Sequence, residues 1–143
     1  MDIRKMTIQD YDGVIGLLTA TSGVRIREAD SHEATSRYLE RNPGLSFVAI
    51  VDGDIAGCVM CGHDGRRGYL QHLAVSQKQR RLGIGSALVE ACLTKLESLG
   101  ILKTHIDVLV ENQQAHDFWR RRGWQKRDDI FRFSFVMSHG TNA

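Results

Sequence analysis

Apolar residues along this chain switch between two periods. "DIRKM" (2–6) reads as a short strand. After it, Ile8, Tyr11, Ile15 and Leu18 recur three or four residues apart, which lines one face of a helix. Thr7 stands at the cap of that helix, and Thr7 with Asp10 fits a capping-box start. "TSGVRIREAD" (21–30) breaks the period and reads as a loop or broken helix. Asp30 can cap a second helix, with Glu33 three residues later, running to about Arg41. "NPG" (42–44) stops it, because Pro43 pushes Asn42 away from helical geometry.

Three strand-like runs follow. "LSFVAIV" (45–51) leads into "DGD", a hairpin signal because glycine tolerates positive φ. "IAGCVMCGH" (55–63), the turn "DGRRG" (64–68) and "YLQHLAV" (69–75) complete an antiparallel meander. From Ile84 the positions Leu88, Cys92, Leu96 and Leu99 return to helical spacing, and Gly100 supplies the stop. "THIDVLV" (104–110) is another strand, and "NQQAHDFWRRR" (112–122) a helix capped by Asn112 and ended by Gly123. "GWQKRD" and "DIFRFSFV" read as two last strands, and 138–143 as a loose tail. The strand at 69–75, the helix at 84–99 and the strand at 104–110 predict a right-handed βαβ crossover with parallel strands. Its first loop then delivers a helix N-terminus to the C-terminal edge of the sheet, where ligands bind.

Composition narrows the classes. A length of 143 residues suits a single domain spanning 1–143, and the formal net charge of +2 gives no electrostatic case for nucleic acid. The N-terminal "MDIRKMTIQD" has no apolar h-region and no apolar run approaches a membrane span, so the reading is a cytoplasmic protein with no membrane partner. The histidines show no metal spacing, and no metal is expected. Cys58 and Cys61 form a C-x-x-C within a strand, where residues three apart face opposite ways; they and Cys92 read as buried apolar residues.

The informative stretch is "SQKQRRLGIGSALVEACL" (76–93), which packs two arginines and two glycines against the start of a helix. Four unpaired N–H groups and the helix dipole favour an anion there. Glycines let the anion approach the backbone, and Arg80 and Arg81 add forked donors, so the junction reads as a phosphate site. It is not a P-loop, which needs G-x-x-x-x-G-K-[ST]. Nor is it a dinucleotide fingerprint, because Leu88 stands where a third glycine belongs.

Arg80-Arg81-Leu82-Gly83-Ile84-Gly85 resembles the [QR]-x-x-G-x-[GA] signature of the GNAT superfamily of N-acetyltransferases. "NQQAHDFWRRRGW" is similar to the family's later N-x-x-A-x-x-[FY]-[YFW]-x-x-x-G-[FW] helix, with Asn112, Ala115, Phe118, Trp119, Gly123 and Trp124 on its positions. The resemblance implies an α+β, three-layer fold: a mixed, mostly antiparallel sheet of six or seven strands with a parallel βαβ crossover and about four helices. It also implies acetyl-CoA as co-substrate. Arg80, Arg81, Leu82, Gly83, Ile84, Gly85 and Ser86 would hold its pyrophosphate. The backbone of Leu73, Ala74 and Val75 would run along the pantetheine between two splayed strands, and Asn112 and Trp119 would meet the cofactor arm. The implied partner is a primary amine, on a small molecule or on a protein N-terminus or lysine, and a homodimer stays open. An acyl-CoA-binding sensor without turnover is the alternative, because Trp119 stands where many members place a tyrosine acid.

Acyl transfer to an amine needs a neutral amine and donors for the oxyanion. For the base, Asp107 aligns with a glutamate of related enzymes, and His72 is the rival, since imidazole with its intrinsic pKa near ~6.5 suits neutral pH. His116, one turn before Trp119, is a weak substitute acid. The segment 21–30 would wall the acceptor pocket, where Arg25 and Arg27 hint at an acceptor bearing a carboxylate.

Overall fold

Strand alternation and tight turns build one sheet in the order of the chain. The computed structural model describes residues Met1–Ala143 and divides into two compact units, Met1–Asp107 and Val108–Ala143. The first unit contains β1 (Asp2–Lys5), α1 (Tyr11–Thr19), α2 (His32–Arg41), β2 (Phe47–Val51), β3 (Asp54–His63), β4 (Gly68–Val75), α3 (Ile84–Ser98) and β5 (Thr104–Ile106). The strands pair β1-β2-β3-β4-β5, antiparallel except for the last, parallel pair. The "DGD" turn is a two-residue hairpin loop: Val51 opposes Asp54, and Asp52 and Gly53 both take positive φ, of 52° and 82°.

Neighbouring residues of β3 show how the layers form. Cys58 joins Val14 and Leu18 of α1, Val48 and Ala74 in a core against which Tyr38 and Leu39 of α2 also pack. Gly57, pointing the other way, faces α3: a Cβ there would lie 2.8 Å from Ile84 Cγ2 and 3.1 Å from Leu88 Cδ1. Helices α1 and α2 therefore cover one face and α3 the other. Leu88, Cys92 and Leu96, at the predicted helical spacing, are fully buried beneath α3.

Local chemistry fixes the helix ends. Thr7 N–H donates to Asp10 Oδ2 at 2.8 Å, closing a 3-10 turn, Ile8–Asp10, that feeds α1. Asp30 does not cap α2. Ser31 does, its Oγ accepting from Ala34 N–H at 3.1 Å, while Asp30 ends a separate 3-10 turn, Glu28–Asp30.

The second unit contains α4 (Gln113–Arg121), capped by Asn112, whose Oδ1 accepts from Ala115 N–H at 3.1 Å. Here the expectation of six or seven strands fails: the sheet has five. The run 124–137 forms no strand, and Phe131, Phe133 and Phe135 are 89, 94 and 88% exposed. Their alternation satisfies the strand period, but a strand exists only where another supplies ladder partners, and this segment has none. The run 104–110 also shortens, since β5 stops at Ile106.

Two outcomes follow for stability. Gly57→Val should destabilise by about 1–3 kcal/mol, the usual cost of overpacking, because Ile84 is buried and Ala74 O lies 3.3 Å from the new Cβ; urea unfolding measures it. Near the N-terminus Arg4 donates twice to Asp10, Nη2 to Oδ1 at 2.7 Å and Nη1 to Oδ2 at 2.9 Å. These bonds, with the Thr7 N–H, hold the Asp10 carboxyl below its ordinary range despite burial. A depressed carboxylate stabilises the fold above its unfolded pKa of ~3.9 and loses that contribution as pH falls through the folded value. Asp10→Asn should therefore lower Tm at pH ~5 and above, and the gap to the unaltered chain should narrow as pH falls below the unfolded value of ~3.9.

Candidate active site

Strand β4 enters a βα junction whose geometry follows from its glycine. A 3-10 turn, Gln77–Gln79, leads through Arg80 and Arg81 to Gly83, the N-cap of α3, at φ 75° and ψ 15°. That left-handed conformation suits glycine, and a Cβ there would meet nothing within 4 Å. Ala87 N–H returns to Gly83 O at 3.0 Å, so the N–H groups of Ile84, Gly85 and Ser86 stand at the opening of the helix. Arg80, Arg81 and Leu82 are exposed beside it, and neither guanidinium makes an ion pair. Arg81 also takes a positive φ, of 72°. The junction thus sets two exposed cationic side chains beside the first N–H groups of α3.

On the same strand the ladder is irregular. Cys58 opposes Ala74 but Met60 opposes Gln71, so β4 carries one residue more than β3 between them. His72 sits in this bulge at φ 52°, a left-handed conformation that costs a non-glycine residue about 1–3 kcal/mol. The parallel pairing with β5 ends at Leu70–Ile106, so Leu73, Ala74 and Val75 continue beyond the last β5 partner. The pairing with β5 thus ends two residues before the bulged His72.

The bulge holds a second feature. His72 Nε2 lies 2.6 Å from Asp30 Oδ1, with the two side chains 19% and 10% exposed. Asp30 Oδ2 accepts from Arg27 N–H at 2.8 Å, and Asp30 O accepts from the Tyr11 hydroxyl at 2.6 Å. The Tyr11 ring in turn meets the edge of His32, with centroids 5.0 Å apart. Cys58 Sγ donates to His72 O at 3.4 Å. Sequence reasoning gave Asp30 a helix cap and missed this contact. The two residues are 42 positions apart, and no local spacing links them.

Asp107 follows β5 directly and is exposed, at the same end of the parallel pair as His72. Arg25 and Arg27 are exposed in the segment leading to Asp30. In the second unit, Trp119 is buried among Phe118 and Trp124, with centroids at 5.0 and 4.6 Å. His116 Nε2 contacts Leu109 O at 3.0 Å; a carbonyl only accepts, so this nitrogen donates and is held by backbone. Asn112 caps α4 through its side chain.

The cysteines are buried on different sides of the sheet. Cys58 belongs to the core beneath α1, and burial pushes its thiol up to about 12. Cys61 contacts Cys92 of α3, whose thiol is raised by that hydrogen bond and by burial. Neither shift favours a reactive thiolate. No group of three or more histidine, cysteine or acidic side chains could hold a metal ion, and no helix is long and apolar enough to cross a membrane.

Known proteins share both sequence and fold with this chain. The family model of the acetyltransferase (GNAT) family matches residues 14–124. Acetyltransferase ECA0875 of Pectobacterium atrosepticum is 32% identical over 130 residues, which cover 91% of this chain and 92% of that protein. The PaiA N-acetyltransferase of Thermoplasma acidophilum, solved in complex with coenzyme A, superposes with a TM-score of 0.79 at 20% identity, covering 90% of this chain and 92% of that one. The ribosomal-protein-S18-alanine N-acetyltransferase of Escherichia coli does so with a TM-score of 0.72 at 20% identity, covering 85% and 76%. The family match spans the meander, the bulged strand, the glycine–arginine junction and α4, and the chain belongs to the GNAT acetyltransferase family.

Proposed function

We propose that this protein is an acetyl-CoA-dependent N-acetyltransferase acting on a primary amine, carried by a small molecule or by a protein N-terminus or lysine. The observation that carries the reading is the α3 N-terminus beside the opening between β4 and β5, with Gly83 left-handed and two exposed arginines. A pyrophosphate fits that set of groups: the N–H groups of Ile84, Gly85 and Ser86 would donate to its oxygens, Gly83 puts no side chain in the way, and Arg80 and Arg81 would balance its charge. Leu73, Ala74 and Val75, past the last β5 pair, are the backbone along which the pantetheine would lie. Asn112 and Trp119 are assigned to the cofactor arm on the strength of the family motif. The coenzyme-A complex of the Thermoplasma protein supports the ligand class.

Bound acetyl-CoA supplies the acyl carbon: a C–N bond to the amine forms as the C–S bond breaks, and the departing thiolate, with an ordinary thiol pKa of ~8.5, needs no acid from the protein. The residues of this chain then have three tasks. A base takes the amine proton. Backbone N–H groups of β4 beyond the bulge oppose negative charge on the carbonyl oxygen. The acceptor-side segment, with Arg25 and Arg27, orients the amine, and its two cations favour an acceptor that carries a carboxylate.

Two residues compete for the base. His72 is held in a strained bulge against a buried carboxylate. Asp107 stands just past the last β5 pair, at the same strand ends. We assign the role to His72, because strained and anchored side chains concentrate at reacting centres.

Coenzyme A should raise Tm, since a ligand at 100 times its Kd stabilises by about 2.7 kcal/mol. Gly83→Glu should abolish that shift. Gly83→Ala, which imposes the backbone strain without the charge, should keep most of it. Equal shifts in both variants would remove the phosphate assignment. With an amine found by screening, His72→Gln should lower kcat by about 10²–10⁴ and leave the KM for acetyl-CoA near its starting value. The reverse ranking, with Asp107→Asn the damaging change, would move the base to β5.

A further inference from the structure

The Asp30–His72 contact does more than join two elements. A carboxylate only accepts, so Asp30 Oδ1 at 2.6 Å requires His72 Nε2 to donate. In the neutral ring the lone pair is then on Nδ1. Asp30 is itself fixed at two points, one on the side chain and one on the backbone. Its Oδ2 is occupied by the Arg27 N–H, and its backbone carbonyl is held by the Tyr11 hydroxyl. The Asp30 side chain is 10% exposed and that of His72 19%, so the carboxylate is the more deeply buried end of the pair. It also ties the acceptor-side segment before α2 to the bulge of β4.

We propose that Asp30 is a positioning residue: it fixes His72 in the Nε2–H tautomer, so that Nδ1 is the nitrogen that receives the amine proton, and it locks the acceptor-side loop to the bulge that holds His72. The tautomer and loop parts stand on geometry alone, and the proton-transfer part rests on the acetyltransferase reading above. When the attacking amine gives up its proton to Nδ1, the ring becomes an imidazolium with Asp30 opposing its charge. After product leaves, that proton returns to solvent and the ring regains its neutral form.

Asp30→Asn makes the sharpest test, because the surroundings dictate how the carboxamide must sit. Its oxygen has to replace Oδ2, since Arg27 N–H needs an acceptor. Its NH2 then faces His72 Nε2 and donates, so Nε2 becomes the acceptor and the ring proton moves to Nδ1. The full chain labelled with 15N at histidine, read on the high-pH plateau where the ring-nitrogen shifts stop changing, reports the tautomer of the neutral ring from those shifts. His72→Gln identifies the signal. The unaltered chain should show Nε2–H and Asp30→Asn should show Nδ1–H. An Nδ1–H ring in the unaltered chain overturns the proposal even if the variant does not fold, and so does an unchanged tautomer in a folded variant.

Turnover supplies the second arm. Asp30→Asn should lose kcat by about 10²–10⁴, as His72→Gln does, with an acetyl-CoA KM within a few-fold of the starting value. The double variant should be no slower than the worse single one, because both changes remove one device. Full kcat in a variant whose tautomer has flipped overturns the role of Nδ1. A chain that shows the expected tautomers but is not stabilised by coenzyme A would defeat the acetyltransferase reading and leave the Asp30–His72 geometry in place, so the two failures are distinguishable.

Discussion

The extra residue in β4 sets where the sheet opens, and the proposed site is arranged around that opening. Up to Leu70 the strand is paired on both edges, to β3 and to β5. At His72 the bulge re-aims the backbone, and Leu73 to Val75 run on past the last β5 pair. On the function proposed above, a regular β4 would leave no place for the thioester arm. The bulge also costs energy, because His72 is left-handed. The Asp30 contact and the Cys58 thiol bond to His72 O are what the surroundings return against that cost.

A second constraint places the phosphate end of the proposed site. Helix α3 must begin where β4 ends, and it must lie close enough to the sheet for its N-terminus to stay at the strand ends. Gly57 makes this approach possible, since any side chain there would meet Ile84 and Leu88. Gly83 then lets the chain turn into the helix through a left-handed conformation, with no side chain at the cap. The two glycines serve different ends, one packing and one access, and only the second belongs to the family signature.

Much of this was legible from local patterns. Helical spacing from Ile84 located α3, "DGD" the β2–β3 hairpin, and Asn112 the cap of α4, because each depends on interactions within a few residues. The turn into α3 at Gly83 was legible for the same reason, because a left-handed cap favours glycine. The expectations that failed depend on distant partners. "DIFRFSFV" alternates as a strand should, yet no ladder forms. Asp30 has the spacing of a helix cap, yet Ser31 takes that role.

The amino-acid sequence by itself determined the family, the order of the elements from β1 to α4, and the turn and cap residues that join them, since these follow from spacing and short-range hydrogen bonding. Only the tertiary structure decided that β4 bulges at His72, that β5 stops at Ile106, and that Asp30 crosses 42 positions of sequence to meet the imidazole. A bulge is a mismatch between two strands, and this carboxylate–imidazole contact is a meeting of a strand with the 3-10 turn before α2. Neither is a property of either segment alone, so each came into view only when the sheet and the α1–α2 connection were placed together.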